Sequence, residues 1–296
     1  NKGMKGDDWL GILIIVGIIF IAISGGIKNP GGGGLLSSQN SNNTTQTQSN
    51  IAYKIQETQY KVDDLKKQVQ AEEDKKNNSE YYGLINLNFV TTSDNPAQEY
   101  VSIQANYNVT HPIIMTGWTL KSVMTGVSVK IPKGTYLYFS GTANYEETIY
   151  LSSGEIIYLI TGVSPNGTSF KTNKCSGYLG QFQTFIPYLY QTCPIPRNED
   201  LSSIPKTRIN DDCLDYIDRF PSCRIQTEPL PINWSYECTN FISNKINYNS
   251  CVNTHKNDQD FYGKEWRVYL KYTESIWKRT RDEIVLYDNL GKIVDT

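Results

Sequence analysis

The sequence predicts a mainly β protein, in which a sandwich of short strands follows a membrane span and a helical stalk and carries a cysteine-rich, partly helical insertion. Three observations lead to this fold class. Apolar and polar residues alternate in short segments after residue 80, a long uncharged run lies near the N-terminus, and six cysteines are confined to one later segment. With 296 residues, the chain is long enough for one or two domains with hydrophobic cores of their own.

The first predicted element is a transmembrane helix from Trp9 to Ile27, a run of 19 residues without a charge. At about 1.5 Å per residue the run reaches roughly 28 Å, which matches the hydrocarbon core of a bilayer; a buried core helix is the alternative. Lys2 and Lys5 precede the run and Lys28 alone follows it closely, which is a weak positive-inside signal. We therefore expect residues 1–8 to form a cytoplasmic tail, with the lipid bilayer as the partner of the span.

Between the span and the strands, the sequence predicts a flexible linker at 28–49 and a helical stalk at 50–77. The linker consists mainly of Gly, Ser, Asn, Thr and Gln, which bury little apolar surface. In the stalk, seam residues recur at alternating spacings of four and three, which is the heptad pattern of a coiled coil. The seam residues are Ile51, Ile55, Thr58, Val62, Leu65 and Val69. Thr58 and the low apolar content leave two alternatives, a single solvated helix and a dimeric or trimeric stalk that would make the chain a homo-oligomer.

Residues 81–162 and 282–296 are predicted to form the sandwich. Strand-like alternation occupies residues 81–89, 99–105, 116–121, 128–131, 136–139 and 148–160, with turn residues between these segments. Two further apolar strands, joined by Asp-Asn-Leu-Gly within residues 283–295, predict a hairpin that completes the sheet begun at residue 81. The predicted core consists of Val101, Ile103, Trp118, Leu120, Ile157, Leu159, Ile284 and Leu286.

The insertion between these two parts, residues 163–281, holds every cysteine of the chain. They are Cys175, Cys193, Cys213, Cys223, Cys238 and Cys251. No pair is spaced as Cys-x-x-Cys, and only two histidines exist to complete a metal shell, so we expect three disulfides and no metal or cofactor. Pairing of sequence neighbours, 175 with 193, 213 with 223 and 238 with 251, is the first choice among the arrangements that six cysteines allow. Disulfides imply an oxidising compartment, so we expect the N-terminus inside the cell and the C-terminal bulk outside.

Composition and motifs exclude several classes of function. Lysine and arginine together number 28 against 30 acidic residues, which disfavours a broad nucleic-acid-binding face. The only histidines are His111 and His255, and the chain holds no Gly-x-Ser-x-Gly, His-Glu-x-x-His or phosphate-loop motif, so no catalytic residue is predicted. The densest polar cluster contains Asp258, Asp260 and Glu265, but their spacing does not keep the register of a calcium loop, which favours a solvated loop.

Five short segments of the predicted strands and turns carry a family resemblance. They are Glu99-Tyr-Val-Ser-Ile, Thr116-Gly-Trp-Thr-Leu, Ile131-Pro-Lys-Gly-Thr, Leu151-Ser-Ser-Gly-Glu-Ile and Ile284-Val-Leu-Tyr-Asp-Asn-Leu-Gly-Lys-Ile-Val-Asp. Together they resemble the lamin tail domain, an immunoglobulin-like sandwich also found in bacterial surface and secreted proteins. The insertion, with Ser169-Phe-Lys-Thr-Asn-Lys-Cys, Cys193-Pro and Asn257-Asp-Gln-Asp-Phe-Tyr-Gly, is similar to membrane-anchored proteins of candidate-phyla (Patescibacteria-type) bacteria that combine an anchor, a coil and a lamin tail domain. This second resemblance covers nearly the whole chain and implies an architecture and a location, but it brings no established activity.

We expect a single-pass, membrane-anchored structural or interaction protein of the cell surface, which serves envelope organisation or adhesion through an unknown surface partner. Lamin tail domains serve mostly as interaction or tethering modules, and the resemblance implies such a role by analogy. The candidate contact residues are Trp234, Tyr262, Trp266 and Trp277, and core packing is the alternative for each of them. Two other functions stay open, a subunit of an extracellular filament or surface layer and an extracellular hydrolase of wall polymers. The hydrolase would use Asp258, Asp260 and Glu265.

Overall fold

The computed structural model describes residues 41–296 of the chain. The predicted cytoplasmic tail at 1–8, the predicted membrane span at 9–27 and the first part of the predicted linker lie outside the described residues. Among the helices of residues 41–296, none is both long and apolar enough to cross a bilayer. The chain divides into two units, Asn1–Lys66 and Lys67–Thr296.

Helix α1, Ser41–Asn77, is the first described element and is 37 residues long. The linker prediction is therefore wrong for residues 41–49, which are helical. This polar stretch contains no Gly or Pro, and its residues each cost at most about 0.7 kcal/mol relative to Ala, so a helix that is already formed extends through it. Five residues of the predicted seam are exposed in α1: Ile55, Thr58, Val62, Leu65 and Val69.

Eleven strands form three sheets in the described part of the chain. They are β1 (Ile85–Thr91), β2 (Tyr100–Ala105), β3 (Ile113–Ile114), β4 (Thr119–Ser122), β5 (Ser128–Lys130), β6 (Tyr150–Leu151), β7 (Ile156–Ile160), β8 (Phe170–Asn173), β9 (Tyr262–Tyr269), β10 (Ile284–Tyr287) and β11 (Ile293–Asp295). A five-stranded sheet has the order β1-β2-β7-β9-β8, a four-stranded sheet has the order β11-β10-β4-β5, and β3 pairs with β6. Neighbouring strands are antiparallel except for β7 and β9, which are parallel.

The five-stranded and four-stranded sheets share one hydrophobic core. Ile103 and Leu159 enter it from the first sheet, and Leu120 and Leu286 enter it from the second. Trp118, which immediately precedes β4, is also buried there, and its ring lies 5.4 Å from that of Tyr81. All eight residues that the sequence predicts for the core are buried. They occupy alternate positions because successive side chains of a strand point to opposite faces of the sheet.

The C-terminal hairpin pairs with the second sheet. Strands β10 and β11 are antiparallel, and β10 also pairs with β4. The prediction that the hairpin completes the sheet begun at residue 81 is therefore wrong, because β1 belongs to the other sheet. A side chain links the hairpin to β1, since Asp295 Oδ2 accepts a hydrogen bond from the Leu87 N–H at 2.6 Å. The alternation of Ile284 and Leu286 predicts which face of the strand is buried. The same face is buried whichever strand becomes its neighbour, so the alternation does not predict the neighbour.

Two predicted strands also differ from the structure. Residues 136–139 form no strand; the preceding Gly134 and Thr135 instead make isolated bridges. The strand predicted at 148–160 is divided into β6 and β7. A turn separates them, in which Gly154 has a φ of +70°, a conformation that favours glycine.

The predicted insertion at 163–281 contributes two strands to the five-stranded sheet, one near its beginning and one near its end. Strands β8 and β9 lie within it, and β9 sits between β7 and β8. Between these two strands, the chain forms α2 (Asp211–Arg219), α3 (Tyr236–Lys245) and α4 (Tyr248–His255). This segment packs on the other face of the five-stranded sheet, in a second core that contains Phe170, Phe185, Phe241, Phe261 and Tyr269. Strand β9 is therefore covered on both faces.

The six cysteines form three disulfides, which confirms the predicted number. The predicted pairing of sequence neighbours is wrong. The bonds are Cys175–Cys251, Cys193–Cys223 and Cys213–Cys238. All six cysteines are buried in the second core. Each bond requires Cα atoms close enough to bridge, and the packing of the helices, rather than distance along the chain, brings them together.

Candidate functional site

A pocket of about 260 Å³ lies where the end of β8, the start of β9 and the loop 187–192 meet. We call it the β8–β9 pocket. Four charged side chains and one exposed tyrosine contribute to its lining, with two buried apolar residues beside them. These residues are Lys174, Asp260, Lys264, Glu265, Tyr190, Leu189 and Phe261. The pocket therefore combines charges of both signs with aromatic and apolar surface.

An irregularity in the pairing of β8 with β9 shapes this pocket. Lys171 pairs with Trp266 and Asn173 pairs with Tyr262, so Thr172 alone faces residues 263–265 of β9. The Thr172 hydroxyl donates to the carbonyl of Glu265 at 3.0 Å. Gly263 is required at the closest approach, because a Cβ atom there would lie 2.5 Å from Thr172 Oγ1. Bulges of this kind change the direction of nearby side chains, and this one lies at the wall of the pocket.

A buried arginine holds the loop wall of the pocket against β9. The Arg267 guanidinium donates to Glu265 Oε2 at 2.6 Å and to the carbonyls of Pro187 and Tyr188. It also lies 4.6 Å from the ring centre of Tyr158. Breaking a buried ion pair by removing one partner typically costs about 3–5 kcal/mol, because the other charge is left without compensation. We infer that this arginine keeps the loop in place and the pocket preformed.

A second polar network lies beside the pocket and includes the cluster that the sequence singles out. Lys174 Nζ lies 2.6 Å from Asp260 and 3.0 Å from Asp258. His255, at the end of α4, lies between two carboxylates, with Nδ1 at 2.8 Å from Asp258 and Nε2 at 2.9 Å from Glu199. The solvated-loop interpretation of this cluster is therefore incomplete, because its side chains connect α4, the end of β8 and the segment around Glu199.

The pKa values in this network follow from its hydrogen bonds. The bond that Lys174 donates to Asp260 is the main reason that the pKa of the lysine is raised. Hydrogen bonding lowers the pKa of both aspartates, chiefly from His255 for Asp258 and from Lys174 for Asp260. Burial is the largest single influence on His255 and lowers its pKa, but the bonds to Glu199 and Asp258 outweigh burial, so the pKa is raised. Each shift favours the charged form of its group.

These charges bear on the three carboxylates that a hydrolase would use. A general acid near neutral pH needs a raised carboxyl pKa, whereas the pKa values of Asp258 and Asp260 are lowered. Glu265 is ion-paired with Arg267. Within residues 41–296, no group of three or more His, Cys, Asp or Glu side chains is arranged to hold a metal ion. Asp258 and Asp260 are therefore poorly suited to the role of general acid.

The four predicted contact residues lie in different environments. Trp266 and Trp277 are buried in the core between the sheets, so they are not surface contacts, and the alternative role of core packing is confirmed for both. Trp234 is half-buried and packs against Tyr216, with ring centres 5.2 Å apart. Tyr262 is the exposed member of the set. Trp266 is buried because the segment between β5 and β7 covers it: its ring lies 4.7 Å from that of Tyr136, and its Nε1 donates to the carbonyl of Tyr150. The sequence of a single strand does not reveal these neighbours.

The pocket residues that sequence reasoning missed carry weak signals. Tyr190 stands in a proline-rich loop, Lys174 precedes a cysteine, and Lys264 belongs to an ordinary polar position of a strand. Only the fold brings them together. No protein-family model, curated protein or solved structure matches this chain.

Proposed function

We propose that the protein is a single-pass, membrane-anchored interaction protein of the cell surface, with its N-terminus inside and the disulfide-bonded part outside. In this proposal residues 9–27 form the anchor, and the function is envelope organisation or adhesion through a surface partner. We also propose that the two sheets that share a core are a lamin-tail-type, immunoglobulin-like sandwich. Their common core and the antiparallel C-terminal hairpin support that assignment.

The observation that carries the proposed location is the set of three disulfides. Disulfides form and persist in oxidising environments and are rare in the cytosol. All six cysteines of the chain are paired and buried in one core. A structural role in a compartment that oxidises thiols accounts for this use of cysteine.

We further propose that the chain forms a homo-oligomer through the seam of α1. Ile55, Val62, Leu65 and Val69 are exposed apolar residues at the seam positions of α1. The spacing places Ile55, Val62 and Val69 at one type of core position and Ile51, Thr58 and Leu65 at the other, which is the heptad pattern of a coiled coil. A second copy of the helix would bury these side chains.

The location is tested with the full chain in bacterial cells that express it. Intact cells are treated with a protease, and the cysteines are trapped with an alkylating reagent before lysis. We expect the protease to remove the part after residue 41 and the cysteines to resist alkylation until a reductant is added. A matched variant, Ile14→Arg with Ile18→Arg, interrupts the predicted span and should leave the protein inside, protected from protease. Protection of the unaltered chain together with free thiols would contradict the proposal.

A further inference from the structure

We propose that the β8–β9 pocket binds one ring of a neutral carbohydrate. This inference concerns the pocket alone and does not depend on the membrane anchor or on oligomerisation. It is carried by the size of the pocket, its balance of charges and the position of one exposed tyrosine.

The size of the pocket limits the ligand. A volume of about 260 Å³ lies just below the range of roughly 300–1,000 Å³ that is common for sites of drug-sized ligands. A single hydroxylated ring is therefore a better fit than a nucleotide or a longer peptide. Tyr190 and Asp260 are 70% and 79% exposed, so the rim is open to solvent and a longer chain can continue outwards from the bound ring.

The charges of the pocket favour a ligand without net charge. Lys174 and Lys264 are matched by Asp260 and Glu265, and two of these four already take part in ion pairs with each other. Glu265 is ion-paired with Arg267 and Asp258 is a second partner of Lys174, so three cations, Lys174, Lys264 and Arg267, face three carboxylates. A ligand with one strong charge would meet a like charge next to every opposite one, which is unfavourable.

The same groups can bind several hydroxyls at once. The Lys174 ammonium has three N–H donors, of which Asp260 and Asp258 take two. Each carboxylate oxygen has two lone-pair sites, so the carboxylates of Asp260 and Glu265 keep acceptor capacity beyond their ion pairs. Adjacent donors and acceptors match neighbouring hydroxyls of a sugar, each of which both donates and accepts.

The tyrosine supplies the apolar part of the site. Tyr190 lies in the loop that Arg267 holds through the carbonyls of Pro187 and Tyr188, so its backbone is positioned before any ligand arrives. Aromatic rings offer a large, rigid contact surface, and a tyrosine loses little side-chain entropy on binding. A pyranose has C–H groups on one face and hydroxyls around its edge, which fits a ring on one wall and charged groups on the other.

The test is saturation-transfer NMR on the full chain in phosphatidylcholine nanodiscs, which avoids sugar-based detergents. The probes are glucose, galactose, mannose, N-acetylglucosamine and N-acetylgalactosamine, with acetate and free lysine as charged comparators. We expect transfer to at least one sugar and a loss of affinity of tenfold or more in Tyr190→Ala. Lys264→Gln should lower the affinity for the same sugar by a smaller factor.

Tyr188→Ala is the matched control. Tyr188 belongs to the same loop and is 78% exposed, but its side chain does not line the pocket, and the carbonyl that Arg267 uses is kept. We expect it to bind the sugar as the unaltered chain does. The inference is overturned by binding of none of the five sugars, by binding of acetate or lysine alone, or by equal losses in Tyr190→Ala and Tyr188→Ala. Each of these results leaves the proposed location intact, because protease access and thiol trapping do not involve the pocket.

Discussion

Removing the Cys175–Cys251 disulfide, by changing both residues to Ala, is expected to destabilise the fold strongly. The bond joins residues 76 positions apart. The other two disulfides lie within this loop and together shorten it to roughly 41 residues, and the chain-entropy relation then gives about 4 kcal/mol. Whole domains are stable by only about 5–15 kcal/mol, so the loss is a large fraction of the total.

The assay is urea unfolding of the full chain under non-reducing conditions, followed by tryptophan fluorescence. Unchanged slopes with a lower midpoint would indicate a change in stability alone. A loss below about 1 kcal/mol would refute the argument that this bond closes a long loop.

A single substitution tests the pairing itself. In Cys175→Ala, the released thiol should be that of Cys251, and alkylation in denaturant without reductant should label the peptide that contains it. Pairing of sequence neighbours would instead leave Cys193 free. Labelling of Cys193 would therefore contradict the structure, and the result does not depend on how stable the variant is.

Three further perturbations test other parts of the structure. The pKa of His255 is raised, so the stabilisation from its charged form is complete below the ordinary pKa of 6.5 and is lost as pH rises through the raised pKa. The difference in unfolding free energy between the unaltered chain and His255→Gln should therefore shrink towards high pH. A difference that stays constant with pH would refute this. Leu286→Ala removes a buried side chain and should lower the free energy of unfolding in urea by about 2–5 kcal/mol. Leu290 lies on the same hairpin but is exposed, so Leu290→Ala should lower it by less than about 0.5 kcal/mol. Similar losses in the two variants would contradict the burial of Leu286 in the core. If α1 self-associates through its seam, Leu65→Lys should reduce the sedimenting mass of the full chain to that of a monomer. Tyr60→Lys, which lies away from the seam, should leave the mass unchanged. A monomeric unaltered chain would refute the homo-oligomer.

Much of the local structure follows from short-range patterns. The period-two alternation around Ile103 and Leu120 predicts strands and their buried faces, since only one face of such a segment can leave water. The heptad spacing predicts most of α1, but its polar beginning is missed because Ser, Asn, Thr and Gln favour neither helix nor coil strongly. The number of disulfides also follows from the sequence, because six cysteines without metal-ligand spacing have few other uses.

The candidate site could not be predicted from short-range patterns, because the residues that form it are distant in sequence. Lys174, Tyr190 and Glu265 meet only after β9 has paired with β8 and after Arg267 has bound the carbonyls of the loop. Lys174 and Tyr190 have no local pattern that points to a ligand, and Glu265 stands out in the sequence only as part of a polar cluster. Trp266 is a residue that the sequence suggests for a contact surface and the fold does not place there. A large aromatic residue between charged neighbours suggests a surface contact, but the fold buries it.

The sequence by itself therefore determines most strands of the sandwich, their buried residues, most of helix α1 and the presence of three disulfides, because each depends mainly on neighbours within a few positions. Only the tertiary structure decides which cysteines pair, which sheet receives the last hairpin, and that β9 lies inside a sheet with a pocket at its edge. These outcomes depend on contacts between segments up to more than a hundred residues apart, and an alternating strand is compatible with several partners until packing selects one.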